Sequence, residues 1–99
     1  MAQKTTTVVI EGEMTIANVG LTREQLLEAL GSGCSVEVDL SRVNEFDSAG
    51  LQLMIAARRE ATLREVPLHF FGHSSAVRNV LQLCALSDQF DAAAVTAAT

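Results

Sequence analysis

Asp47, Ser48, Ala49 and Gly50 stand between an apolar strand-like run and an apolar helix-like run, in the stretch VNEFDSAGLQLM from Val43 to Met54. A serine hydroxyl there can attack a substrate if a base lies within reach, or it can accept a phosphoryl group from another protein. The chain has two histidines to supply a base. His69 lies inside a strand-like run and His73 in a turn beside two serines. Neither completes the base-plus-orienter constellation of nucleophilic catalysis, so the residues do not read as a hydrolase. Cys34 and Cys84 are far apart, have no CxxC spacing and, with two separated histidines, form no metal-ligand pattern. Neither G-x-x-x-x-G-K-S/T nor G-x-G-x-x-G occurs, so any ATP chemistry belongs to a partner and no cofactor is expected.

A serine before a helix is ordinarily a cap, and two registers compete here. With Ser48 as N-cap, Asp47 and Gln52 take the positions of a hydrophobic staple and cannot form one. With Asp47 as N-cap, Phe46 and Leu51 take them, and two apolar residues can fix the approach of the chain. The second register is the better supported. It makes Asp47 the cap and puts Ser48 at the first helical position, with a hydroxyl the helix does not need. Two uses of that hydroxyl stay open: part of a plain structural turn, or a phosphate site. A phosphoryl group would bring roughly −1.5 to −2 charges to the positive end of the helix dipole. Ala49 and Gly50 leave the first turn uncrowded, so its backbone donors read as approachable, while Asp47 opposes the phosphate by like-charge repulsion.

The elements that position these residues follow from periodicity. Thr5 to Ile10 reads as a strand ending in a turn or bulge at Glu11-Gly12, with a short second strand possible over Glu13 to Ile16. Thr22 to Gln25 has the T-x-x-Q form of a capping box ahead of Leu26, Leu27 and Leu30, though this helix could start nearer Asn18; Gly31-Ser32-Gly33 ends it. SVEVDL, Ser35 to Leu40, alternates as a half-buried strand. Leu51, Met54, Ile55 and Leu63 mark a second helix closed by Pro67, with Met54 in the core and the Arg58-Arg59 pair on a solvated face. LHFF, Leu68 to Phe71, is a short buried strand. Val77, Val80, Leu81 and Cys84 then define a third helix capped by Ser74 or Ser75, with Cys84 buried; the alanine-rich end after Phe90 is a last helical turn or frays. Strands separated by helices imply an α/β domain with a mostly parallel or mixed sheet of four or so strands and three to four helices, one sheet face open or partly covered. Functional groups in such folds gather at the carboxyl ends of strands, where Ser48 sits.

Composition narrows the partners. Ninety-nine residues with 48% apolar content make one domain, 1–99, with a real core. Twelve acidic against seven basic residues give a net charge of −5, and the basic ones do not cluster beyond Arg58-Arg59. Nucleic acid and anionic membrane are therefore poor partners. No apolar run approaches the ~20 residues of a membrane span and the polar start MAQKTTT is unlike a signal peptide, so a soluble, cytoplasmic protein with reduced cysteines is expected.

The wording VDLSRVNEFDSAGLQLM resembles the signature of STAS domains, the family of anti-sigma-factor antagonists: a strand ending D-L-S, a hydrophobic residue, then I/F-D-S/T-S/A/G-G-L opening a helix. Asp39, Leu40, Ser41, Val43, Phe46, Asp47, Ser48, Ala49, Gly50 and Leu51 match it in order. The GEM turn at Gly12 to Met14 stands where the family has G-E-L, and HSSAVRNVLQLCAL is similar to its last helix. The resemblance implies a small α/β STAS fold and a partner-binding switch rather than an enzyme. It implies Ser48 as phosphoacceptor, with Asp47, Ala49 and Gly50 supporting the phosphorylation site and the partner surface. The implied partners are a histidine-kinase-like Ser/Thr kinase or anti-sigma factor, and a metal-dependent Ser/Thr phosphatase that restores the binding form. Many sigma-regulating members carry Asp soon after G-E-L, whereas Met14 is followed here by Thr15 and Ile16. EGEMTIANV together with DSAGLQLM is more similar to members that accompany bacterial chemotaxis and two-component genes. The alternative implied role is that of a non-catalytic STAS subunit docking on the ATPase of an ABC-type phospholipid transporter.

Overall fold

The computed structural model describes residues 4–84; the alanine-rich end expected to be helical or frayed lies outside them. Three strands and three helices alternate: β1 (Thr5–Met14), α1 (Val19–Leu30), β2 (Ser35–Phe46), α2 (Ser48–Leu63), β3 (Leu68–Phe71) and α3 (Ser75–Leu83). The sheet runs β1-β2-β3 with both pairings parallel. This is the expected α/β class, with three strands among the described residues. The two strand segments foreseen on either side of Glu11-Gly12 are one strand, because the break there is a bulge and not a reversal of the chain. Gly12 supplies the left-handed backbone, φ 88°, that a branched residue would resist.

Period-2 burial builds the core. Val8, Ile10 and Met14 of β1, Val36, Val38 and Leu40 of β2, and Leu68 and Phe70 of β3 are buried on one face. Each such side chain, fully buried, contributes roughly 1.5–3 kcal/mol. Thr7, Val9, Glu37, Asp39, His69 and Phe71 point the other way and are half-buried or exposed. The two crossover helices α1 and α2 pack against each other, while α3 packs on β2. They add Leu26 and Leu30, Leu51, Leu53 and Met54, and Val77 and Leu81 to the same core.

β2 runs past Leu40 to Phe46, and its alternation slips twice. Leu40 and Ser41 lie opposite Ile10 alone, and Asn44 is an extra residue between the pairs Gly12–Val43 and Glu13–Glu45. A bulge advances the side-chain phase by one residue. The apolar spacing accordingly lengthens from two to three, so Val43 and then Phe46 return to the core side. The two slips decide which way the chain faces as it reaches Asp47.

Three local expectations change. The T-x-x-Q at Thr22 is no capping box, and the alternative start nearer Asn18 is the one found: α1 begins at Val19, its N-cap is Asn18, and Thr22 is a buried helical residue. Asn18 braces the preceding loop instead, accepting from Thr15 N–H at 3.1 Å and donating to the Glu13 carbonyl at 2.6 Å. α2 stops before Pro67, because Glu65 takes φ 58° and the N–H groups of Glu65 and Val66 bond back to the carbonyls of Thr62 and Ala61. Leu63, the last residue of α2, is exposed rather than on the buried face, because it falls two residues beyond the buried Ala61 and off that stripe. Cys84 is also exposed, since α3 ends one residue before it.

Candidate functional site

Asp47 joins the end of β2 to the start of α2 and holds three segments together. Its backbone is extended, and Oδ1 accepts from the N–H groups of Ala49 at 2.9 Å and Gly50 at 3.3 Å. It is the N-cap, as the staple register required. Oδ2 turns the other way and accepts from Ile16 N–H at 3.1 Å, across 31 residues of sequence. The Asp47 N–H also reaches the Met14 carbonyl at 3.4 Å. One side chain thus fixes both the helix start and the segment leaving β1. The hydrogen bond from Ile16, with smaller ones from Gly50, Ala49 and Asp47's own N–H, holds the carboxyl below its ordinary range against a desolvation effect that raises it.

Ser48 is the first residue of α2 and is exposed. Its hydroxyl makes no hydrogen bond to another described residue. The donors of the first turn are a different matter. They read as open in the sequence, yet Asp47 Oδ1 occupies the N–H groups of both Ala49 and Gly50. Gly50 is buried, and its missing side chain faces inward. A Cβ there would collide with the Met14 carbonyl oxygen and lie 2.8–2.9 Å from the Phe46 ring. Gly50 lets the helix start seat on the ends of β1 and β2, and the open space lies elsewhere.

That space is a shallow groove of about 640 Å³ on the outer side of Ser48, between the start of α1 and the first turns of α2. Ile16, Val19, Leu53 and Ala56 give it apolar walls, while Arg23, Asp47, Ser48 and Gln52 supply its polar atoms. Arg23, Leu53 and Ala56 continue into a recess of about 100 Å³ along the helix seam, closed by Leu26, Leu27, Leu30 and Ala57 with Glu60. Ile16, in the turn before α1, and Leu21, in its first turn, are 78% and 74% exposed. Sequence reasoning missed Ile16, Val19, Arg23 and Gln52; the apolar Ile16 between β1 and α1, off any helical stripe, was the available signal. His69 and His73 do not line the groove, so the structure does not bring either beside Ser48. Among the described residues no cluster of His, Cys, Asp or Glu could hold a metal, and no helix is long and apolar enough to cross a membrane.

Comparison with known proteins bears on the fold that carries this site. The family model described as "Mlab, STAS domain" matches residues 1–96, and the chain belongs to the STAS domain family. A solved structure of the anti-sigma factor antagonist SpoIIAA in its unphosphorylated form superposes with a TM-score of 0.71 at 22% identity, covering 91% of this chain and 79% of that one. At that identity the likeness is one of fold. No curated protein matches the chain.

Proposed function

We propose that the chain is a non-catalytic protein-binding switch of bacterial signalling, related to anti-sigma-factor antagonists, in which Ser48 is the phosphoacceptor. One observation carries this reading: Asp47 performs all the capping, so the exposed Ser48 hydroxyl is spare, and it stands at the edge of an apolar groove. The unmodified hydroxyl lets a partner protein cover Ile16, Val19 and the first turns of α2. A partner kinase with a histidine-kinase-like ATP fold transfers the γ-phosphoryl group of ATP to Ser48 Oγ. The new Oγ–P bond replaces the bond to ADP, and the hydroxyl proton passes to a base of the kinase. A dianion in an interface that fitted a neutral hydroxyl costs desolvation and repulsion, so the partner leaves. A Ser/Thr phosphatase hydrolyses the ester and restores binding. In this reading one STAS domain spans 1–99, the protein works in the cytoplasm, and its setting is sigma-factor control, chemotaxis or two-component signalling.

The test is to isolate the partner with unmodified protein as bait and measure its affinity for the unmodified and Ser48-phosphorylated forms. Loss of affinity on phosphorylation is the expected outcome. Equal affinity overturns the switch and selects a second reading, a constitutive subunit docking through the same groove on the ATPase of an ABC-type phospholipid transporter. The groove's apolar walls favour that reading to the extent that they need no modification to bind. Reproducible turnover by pure protein that vanishes in Ser48→Ala would overturn both.

A further inference from the structure

Two first-turn donors of α2 are already taken from any phosphoryl group on Ser48. Asp47 Oδ1 already accepts from the N–H groups of Ala49 and Gly50, and the same carboxylate is bonded through Oδ2 to Ile16. To use those donors the phosphate would have to displace the cap and release the β1–α1 segment with it. A carboxylate next door also repels it. A phosphate that leaves the Asp47 cap in place turns outward, over the groove that Ser48 lines.

The groove holds one positive charge. Arg23, on the second turn of α1, lines the same groove as Ser48 and is the basic residue among its lining side chains. It forms no ion pair with another described residue, in contrast to Arg42 with Glu11 and Arg64 with Glu60. The other charged group facing the space is Asp47, while nearby Glu13 accepts from the Thr15 hydroxyl at 3.1 Å in the segment before α1. Guanidinium is the side chain best suited to a phosphate, because its planar fork makes two parallel charge-assisted hydrogen bonds.

Resting on the reading of Ser48 as phosphoacceptor, we infer that Arg23 is the intramolecular receptor of the Ser48 phosphate. The pair bridges α1 and α2 over the apolar walls formed by Val19, Leu53 and Ala56. The phosphorylated state thus does more than add charge: it covers the surface that the partner uses in the unmodified state. Release of the partner becomes competition between an internal ligand and an external one for the same groove.

The experiment needs no partner. Phosphoserine is installed at position 48 by genetic code expansion in four backgrounds: the natural sequence, Arg23→Gln, Arg23→Lys and Arg59→Gln. The phosphate is then titrated by ³¹P NMR at fixed ionic strength. Arg59 is exposed on α2 and does not line the groove, so Arg59→Gln removes the same charge without removing the pair. Pairing predicts that Arg23→Gln raises the second ionisation of the phosphate by about half a pH unit or more, from a value near its ordinary ~6 or below, as expected for loss of an adjacent opposite charge. Arg59→Gln leaves it within a small fraction of that shift, and Arg23→Lys restores part of the difference. A shift in Arg23→Gln no larger than in Arg59→Gln overturns the inference, because the phosphate then stands in solvent. Arg23 is exposed, and circular dichroism of the unphosphorylated variants confirms that folding is intact. Failure here leaves the switch itself standing, since partner affinity is a separate measurement; equal partner affinity for both forms removes the switch without moving the phosphate titration.

Discussion

Replacing Gly50 with alanine adds one methyl group at the point where α2 seats on the sheet. In an unobstructed helix that change is favourable by about 0.5–1 kcal/mol, because alanine loses less backbone freedom on folding. At Gly50 the new Cβ meets the Met14 carbonyl oxygen and lies 2.8–2.9 Å from the Phe46 ring. The ring can tilt, but the carbonyl belongs to the end of β1 and accepts from Asp47 N–H at 3.4 Å. Relieving the contact requires lifting the first turn of α2, which strains the Asp47 bridge to Ile16. Overpacking costs about 1–3 kcal/mol, and with a backbone oxygen in the way the upper half of that range applies, which outweighs the helix gain and leaves a net loss of about 1–2 kcal/mol. For a domain this small, that lowers the melting temperature by roughly 5–15 °C. The control is Gly20→Ala in the first turn of α1, where a Cβ would meet nothing within 4 Å. It should leave stability unchanged or raise it by up to about 1 kcal/mol. Thermal and urea unfolding of both variants by circular dichroism reads the contrast. If Gly50→Ala is as stable as the natural protein, the seating argument is wrong, and with it the account of what places Ser48 at the groove.

Ser48→Ala should melt within about 3 °C of the natural protein, whereas Asp47→Ala should lose more than the about 4–8 °C that a cap of ~1 kcal/mol is worth, because it removes the bridge to Ile16 as well; the reverse order would make Ser48 the cap. Glu65→Gly, at a left-handed position closing α2 that costs a residue with a Cβ, should stabilise by about 0.5–1 kcal/mol in urea titrations, and a loss would show that φ 58° costs Glu65 nothing. The Asp47 carboxyl titrates lower folded than unfolded, so the folded state binds fewer protons. Its stabilising effect is present above the unfolded value of 3.8 and is lost as pH falls through the lower folded one. Asp47→Asn should therefore flatten the acid limb of the stability–pH curve below about pH 4. Asp39, lowered chiefly by the Ser41 N–H at 2.9 Å, retains its share of that limb. An unchanged limb in Asp47→Asn would show that the Ile16 and helix contacts do not favour the charged form.

The helix start at Asp47 was legible because capping is local: the staple pair and the cap lie within a few residues of each other, and their spacing alone separates two registers. The strands of SVEVDL and LHFF, and the helix carrying Val77 and Leu81, were legible for the same reason. Local pattern failed where a distant segment overrode it. Thr22 to Gln25 has the composition of a capping box, yet Thr22 is buried in a helix already begun, because Asn18 and the segment after β1 set the start of α1. Cys84 falls on the apolar period of α3, but a period does not say where a helix ends.

The residue types at the site, and the spare hydroxyl of Ser48, belong to the sequence. Their use of space does not. The two slips in β2 depend on its pairing with β1, since a bulge exists only relative to a partner strand. The hydrogen bond from Ile16 to Asp47 joins residues 31 apart, and the inward demand for glycine at position 50 comes from the Met14 carbonyl on another strand. Arg23 and Ser48 share a groove only because two crossover helices lie side by side on one sheet. Which side chains can do chemistry is a property of residues taken singly or in short runs; which of them face the same space is settled when parallel strands, joined through helices, bring separate runs together.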